Sequence, residues 1–102
     1  MTKVMFVCSA GMSTSLLVSK VNAVAKARGL EMEIYALGDS EARKDLTQAE
    51  VLLLGPQVRY LEKPFRKAIE GSNVKMGVVD MLHYGRMDGE KVMDQILSLL
   101  NS

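Results

Sequence analysis

Cys8 is the single cysteine of the chain, and its surroundings suit a thiol that does chemistry. It closes a short apolar run, Val4-Met5-Phe6-Val7, and opens a stretch of small and hydroxyl-bearing residues, Ser9-Ala10-Gly11-Met12-Ser13-Thr14-Ser15. The apolar run suits a strand buried on both faces. Ser9, Ala10 and Gly11 are small enough for a tight, accessible turn. Ser13, Thr14 and Ser15 are capping residues just ahead of the apolar helical pattern of Leu16-Leu17-Val18. Such a loop presents backbone N–H groups and hydroxyls at a helix N-terminus, an anion site whose common guest is phosphate. A helix N-terminus also favours the thiolate form of a sulfur set against it. A nucleophilic sulfur and an oxyanion cradle in one loop point to covalent phosphoryl transfer. Cys8 is then the nucleophile, and Ser9, Ala10, Gly11, Met12, Ser13, Thr14 and Ser15 form the phosphate cradle.

A lone Cys at a strand end is more often a small buried hydrophobe. The hydroxyl-rich loop behind it favours the functional reading, because a structural Cys has no need of such a loop. Two rival uses of the loop remain. One is a stand-alone cysteine phosphatase or an arsenate-reductase-like thiol enzyme. The small tyrosine phosphatases place an Arg six residues after the Cys, where it clamps the phosphoryl oxygens. Here that position is Thr14, the loop has no Arg, and the chain has no Asp-Pro pair to supply a general acid. The other rival is a regulatory module that only senses phosphate.

The loop from Cys8 to Ser15, with Leu16-Leu17-Val18, resembles the phosphocysteine loop of IIB components of the bacterial sugar phosphotransferase system. The likeness is to the lactose/N,N′-diacetylchitobiose (cellobiose) family. It extends to Leu53-Leu54-Gly55-Pro56-Gln57-Val58-Arg59-Tyr60, to Val79-Asp80, and to Tyr84-Gly85 and Asp88-Gly89. The resemblance implies that a phosphohistidine on a IIA protein donates to Cys8. It implies that Cys8 passes the group to a sugar of cellobiose, chitobiose or lactose type held by the membrane-embedded IIC protein, which supplies the general base. It further implies a cytoplasmic chain that docks transiently at the inner face of the membrane through IIC.

Composition narrows the classes further. At 102 residues, with 48% apolar and 25% charged residues, the chain suits one globular domain over 1–102. A net charge of +1 gives no reason to expect nucleic acid or an anionic membrane surface as partner. No apolar run reaches membrane-spanning length, and the N-terminus does not read as a signal peptide. One Cys and one His argue against a zinc site, and a lone Cys has no resolving thiol for redox work. No cofactor is expected. The charge balance, with no obvious exposed apolar stripe, points to a monomer.

The elements that must position Cys8 alternate between strand and helix. A strand at 4–7 leads into a helix over 13–28 with Leu17, Val21, Val24 and Ala25 inward and Gly29 as its C-terminal stop. A second strand over 31–36 alternates as an edge strand would. A charged stretch over 41–46 reads as a weak helix and a solvated connection. A third strand over 50–54 is continuously apolar, hence central, and ends at Gly55-Pro56. A helix over 59–70 turns Leu61, Phe65, Ala68 and Ile69 inward, with Pro64 in its first turn. A fourth strand over 74–79, a loop over 80–89 and a last helix over 88–100 complete the chain. Alternation implies an α/β fold: a four-stranded parallel sheet of order 2-1-3-4 with helices on both faces. The resemblance implies the same fold, which is also that of the low-molecular-weight tyrosine phosphatases. Cys8 and Gly55-Pro56-Gln57 then meet at the crevice where the winding reverses.

Other residues carry weaker signals. Met12 suits an apolar docking contact or plain packing. Gln57 and Tyr60, which follow the third strand, and Tyr84 are candidate borders of the site. Asp80 reads as a turn or helix cap before a ligand for loop N–H groups. His83 lacks a glycine-rich cradle and reads as structural, and Arg59 as a solvated cation.

Overall fold

The computed structural model describes residues 1–9 and 12–102. Strands β1 (Thr2–Cys8), β2 (Met32–Gly38), β3 (Val51–Leu54) and β4 (Lys75–Val78) form one parallel sheet in the order β2-β1-β3-β4. The helices are α1 (Met12–Ala27), α2 (Asp39–Asp45), α3 (Glu62–Ala68), α4 (Met81–Gly85) and α5 (Gly89–Leu100). Short 3-10 segments at Leu46–Gln48 and Pro56–Leu61 precede β3 and α3. The expected order and parallel pairing both hold. Among the described residues, no helix is long and apolar enough to cross a membrane.

Side-chain alternation along the central strands divides the core. Val4 and Phe6, with Val51 and Leu53, face α1 and α5 through Leu17, Val21, Val92, Met93 and Ile96. Met5 and Val7, with Leu52 and Leu54, face α2 and α3 through Ala42, Leu46, Phe65 and Ile69. Gly29 ends α1 at φ +71, as its stop position requires. Gly89 lets α5 press against α1, since a Cβ there would stand 3.0 Å from the Lys20 carbonyl.

Four expectations need correction. The 41–46 stretch is not a mere solvated connection, because Ala42 and Leu46 are buried under β1 and β3 between charged neighbours. The helix expected over 59–70 begins as a 3-10 turn and becomes α-helical only at Glu62. Pro64 lies in that first α turn, where a missing N–H costs nothing. Ala68 is exposed, because α3 ends there and turns only Phe65 and the flanking Leu61 and Ile69 inward. Residues 80–89 are not a plain loop but contain α4, capped at its start by Asp80.

The sheet has two free edges, and helical side chains cover carbonyls on both. Thr2 N–H donates to Glu31 O, and Lys75 N–H to Glu50 O. In a parallel strand N–H and C=O of one residue point the same way, so Ile34, Met76 and Val78 turn theirs outward. Asn22 of α1 donates to Ile34 O at 3.3 Å. Arg66 of α3 donates to Met76 O at 3.4 Å, and Gln95 of α5 to Val78 O at 2.8 Å. Occupied edge carbonyls do not template further strands.

Candidate functional site

Because all four strands run in parallel, their C-terminal ends lie along one rim. Cys8 is the last residue of β1 and pairs with Gly38, the last of β2; Val7 pairs with Leu54, the last of β3. Winding reverses between β1 and β3, so the crevice expected of this topology opens at Cys8. Alternation puts Cys8 on the side of Val4 and Phe6, which is the side α1 covers. The Cys8 thiol is free, and the residue is only 4% exposed. The residue is thus largely enclosed, with β2 running beside it to the end of β1.

The cradle residues divide. Ser9 is an exposed bend after β1. Ala10 and Gly11 lie outside the described residues, as do the side chains of Met12 and Ser13, whose backbone opens α1. Ser15 is exposed. Thr14, in the first turn of α1, is fully buried, and its Oγ1 lies 2.9 Å from the Tyr84 hydroxyl. A buried hydroxyl needs such a partner, since leaving it unpaired costs roughly 1–3 kcal/mol.

Tyr84 thus does more than fill the core edge. It is 6% exposed and packs with Val79, Val92 and Met93 on the α1 side. A Cβ on Gly55 would stand 3.8 Å from Tyr84 Cε2, 3.5 Å from Val7 O and 3.1 Å from Gln57 Oε1. The ring therefore joins the first turn of α1 to the corner after β3, one residue from Cys8. Gln57, itself exposed, sits at the same corner.

Outside this corner lies an open cleft of about 540 Å³ lined by Pro56, Gln57, Met81, Tyr84, Gly85 and Met87. Met81 and Leu82 nearby are exposed although apolar, and so is Leu16 on α1. Met87 ends α4 at φ +52, with Met87 N–H donating to Tyr84 O and Asp88 N–H to His83 O. This is the paired-bond helix stop that usually carries glycine, so Met87 holds an unfavourable backbone while lining the cleft. Pro56 lies at the crevice as its place after β3 implied, whereas Met81, Gly85 and Met87 did not stand out in sequence as cleft residues; the break at Gly85 was the available signal.

The remaining candidates fall away from the site chemistry. Asp80 Oδ1 accepts from Leu82 N–H and His83 N–H, which makes it the cap of α4. His83 is partly buried, with Nδ1 3.9 Å from Asp80 Oδ1. Tyr60 is 68% exposed and does not line the cleft, and Arg59 is exposed. No group of three His, Cys, Asp or Glu among the described residues could hold a metal.

Known proteins offer close parallels. A family model, that of the lactose/cellobiose-specific IIB subunit of the PTS system, matches residues 3–95. The chain is 42% identical over 100 residues to the oligo-beta-mannoside-specific EIIB component of Bacillus subtilis (strain 168), spanning 98% of this chain and 97% of that one. It is 40% identical over 99 residues to the galactose-specific EIIB component of Lactococcus lactis subsp. cremoris (strain MG1363), spanning 92% of each. The same identity over the same length and spans relates it to the cellobiose-specific EIIB component of Lactococcus lactis subsp. lactis (strain IL1403). In fold it is similar to the lactose-specific IIB domain of Streptococcus pneumoniae, with TM-score 0.86 at 15% identity over 95% of each chain. The cellobiose-specific IIB protein of Borrelia burgdorferi superposes with TM-score 0.79 at 29% identity, over 98% of this chain and 92% of that one.

Proposed function

The chain belongs to the lactose/cellobiose-specific IIB family of the sugar phosphotransferase system, and from that premise we propose that Cys8 is the residue that carries the phosphoryl group. As a IIB component the chain is a phosphotransferase, and family membership implies partnership with IIA and IIC components. In the donor step the Cys8 thiolate attacks phosphorus on a IIA phosphohistidine. The S–P bond forms, the P–N bond breaks, and its electron pair returns to the histidine nitrogen. In the acceptor step a sugar hydroxyl oxygen, held by IIC, attacks phosphorus. The S–P bond breaks, its electron pair returns to sulfur, and the hydroxyl proton passes to a base on IIC.

The observation that carries this reading is the identity and setting of Thr14. The position six after Cys8, where a phosphatase of this fold would hold an Arg, is a neutral hydroxyl buried against Tyr84. Without a guanidinium to stabilise transfer to water, the site suits a carrier that keeps its phosphate until an acceptor arrives. Asp80, the nearest carboxylate to the β4 end in sequence, is occupied as a helix cap. Ser9, Ala10, Gly11, Met12, Ser13, Thr14 and Ser15 serve as the cradle, with Gln57 at its border.

The relatives are named for oligo-beta-mannoside, galactose and cellobiose at 40–42% identity. That spread of sugars supports selection of the sugar by IIC, with this chain acting on cellobiose-, chitobiose- or lactose-type substrates. The chain works as a monomer at the cytoplasmic face, docking there through IIC.

The test is intact mass after incubation with phosphoenolpyruvate, the general phosphotransferase proteins and a cognate IIA. The parent should gain one phosphoryl group and Cys8→Ser none. Release of free phosphate from an aryl phosphate, with no mass gain, would replace the carrier with a phosphatase.

A further inference from the structure

We infer that the cleft beside the Cys8 corner is a docking pocket for the IIA component, which seats an apolar side chain between Met81 and Met87 while its phosphohistidine meets Cys8. The inference rests on the carrier reading above. Two positions of the cleft break their local rules in opposite directions. Gly85 closes α4 in helical backbone, not at positive φ, and a Cβ there would meet no atom within 4 Å beyond its own helix. Neither conformation nor packing asks for glycine, the weakest helix former after proline. Met87, two residues on, holds φ +52 at the helix stop where glycine belongs. Both residues line the cleft. The one leaves it empty, and the other gives it an apolar wall. Packing against the α1/α5 core accounts for an apolar residue at 87 but not for the space at 85. Local preferences yield in this way where a site has to be kept open.

The lining points to a protein as occupant. Met81 is 67% exposed and Leu82 beside it 55%, so α4 offers apolar surface that this chain does not bury. Methionine side chains adapt to a partner's shape. Gln57 and Tyr84 are the polar side chains of the lining, and the Tyr84 hydroxyl lies 2.9 Å from Thr14 Oγ1, which leaves little to orient a small polar ligand. Gln57 and Tyr84 also border Gly55, where a Cβ would stand 3.5 Å from Val7 O, one residue before Cys8. A protein seated in the cleft therefore lies over the strand end that carries the thiol. Charge selects the phosphoryl donor over the acceptor. Arg59 and Arg86 are exposed, Arg86 between two lining residues, and neither forms an ion pair among the described residues. They favour a partner that arrives carrying an anionic phosphoryl group, whereas the sugar that takes the group is neutral.

The experiment follows phosphoryl transfer from phosphorylated cognate IIA by rapid quench over a range of IIA concentrations. Gly85→Gln fills the cleft with a polar side chain from a position that has room for it. Its half-saturating IIA concentration should rise roughly tenfold or more, as when an apolar anchor loses its pocket. Gly85→Gln should nevertheless unfold no earlier than the parent, because a good helix former replaces glycine. Met81→Ser removes apolar wall at an exposed site and should raise half-saturation roughly threefold or more.

Half-saturation within twofold of the parent in Gly85→Gln would overturn the inference, as would a loss confined to the rate at saturating IIA. Slower passage of the group to sugar through IIC, with the donor step unchanged, would assign the cleft to the acceptor and overturn it too. Should Gly85→Gln fail to fold, Met81→Ser decides: half-saturation at the parent value overturns the inference, and the expected rise upholds it. A parent that takes up no phosphoryl group overturns the carrier reading and this inference together. A labelled parent with an unaffected Gly85→Gln overturns the inference alone.

Discussion

The two faces of the sheet are built from different materials. The α2/α3 face is a plain apolar core: Met5, Val7, Leu52, Leu54, Val58, Leu61 and Phe65 fill it with no buried polar side chain among them. The α1/α5 face holds the exceptions. Thr14 and Tyr84 pair there, Gln95 Oε1 is buried with no hydrogen-bond partner among the described residues, Met87 holds a positive φ, and a Cβ on Gly89 would stand 3.0 Å from Lys20 backbone. Polar burial and strain gather where a site needs exact placement. The α2/α3 face is then the plainer, anchoring one, and the α1/α5 face is the side to which alternation assigns Cys8.

Perturbing each face in turn tests that contrast. The largest effect belongs to the anchoring face: Phe65→Ala, at a 1% exposed site, should cost about 3–5 kcal/mol in chemical denaturation. Transfer rates of the remaining folded protein should match the parent. Gly89→Ala should cost roughly 1–3 kcal/mol, because its Cβ meets Lys20 backbone that cannot yield without moving α1. Here transfer should fall as well, since α1 carries Thr14; unchanged transfer would blur the distinction between the faces. Asp80→Ala removes the cap of the short helix that holds Tyr84, at about 1 kcal/mol. Its transfer rate should fall, because α4 carries Tyr84, whose hydroxyl lies 2.9 Å from Thr14 Oγ1.

The smallest effect is again on the anchoring side. Burial, with the charges of Glu33 and Asp45 adding, raises the Tyr35 phenol above its ordinary value. Folding therefore favours the neutral phenol. That contribution is full below about pH 10 and is lost as pH rises through the folded-state value. Denaturation at about pH 8 and about pH 10.5 should show a steeper fall for the parent than for Tyr35→Phe, with no counterpart in transfer.

Much of this arrangement was legible before any coordinates. Val4 to Val7 and Val51 to Leu54 are continuous apolar runs, which suffices to make them central neighbours and to set the strand order. The Cys8 loop reads as an anion cradle from sequence because its small and hydroxyl-bearing residues suit that one need over adjacent positions. The rest was hidden for physical reasons. Ala42 and Leu46 sit among Glu41, Arg43, Lys44 and Asp45, so two buried side chains were outweighed by charge. α4 exposes Met81 and Leu82 at its start and turns Tyr84 inward, so it shows no amphipathic period. The Thr14–Tyr84 pair spans the chain, and periodicity reports nothing about partners that distant. Enclosure of Cys8 depends on what flanks the strand end, which a local motif does not describe.

The most direct test of the central claim is the ³¹P spectrum of the protein phosphorylated through IIA. The account predicts one resonance in the phosphocysteine range, absent from Cys8→Ser and retained in a His83→Gln variant. A phosphoramidate resonance that disappears with His83 and survives Cys8→Ser would contradict it, leaving the thiol a structural residue and the two faces of the sheet without their functional difference.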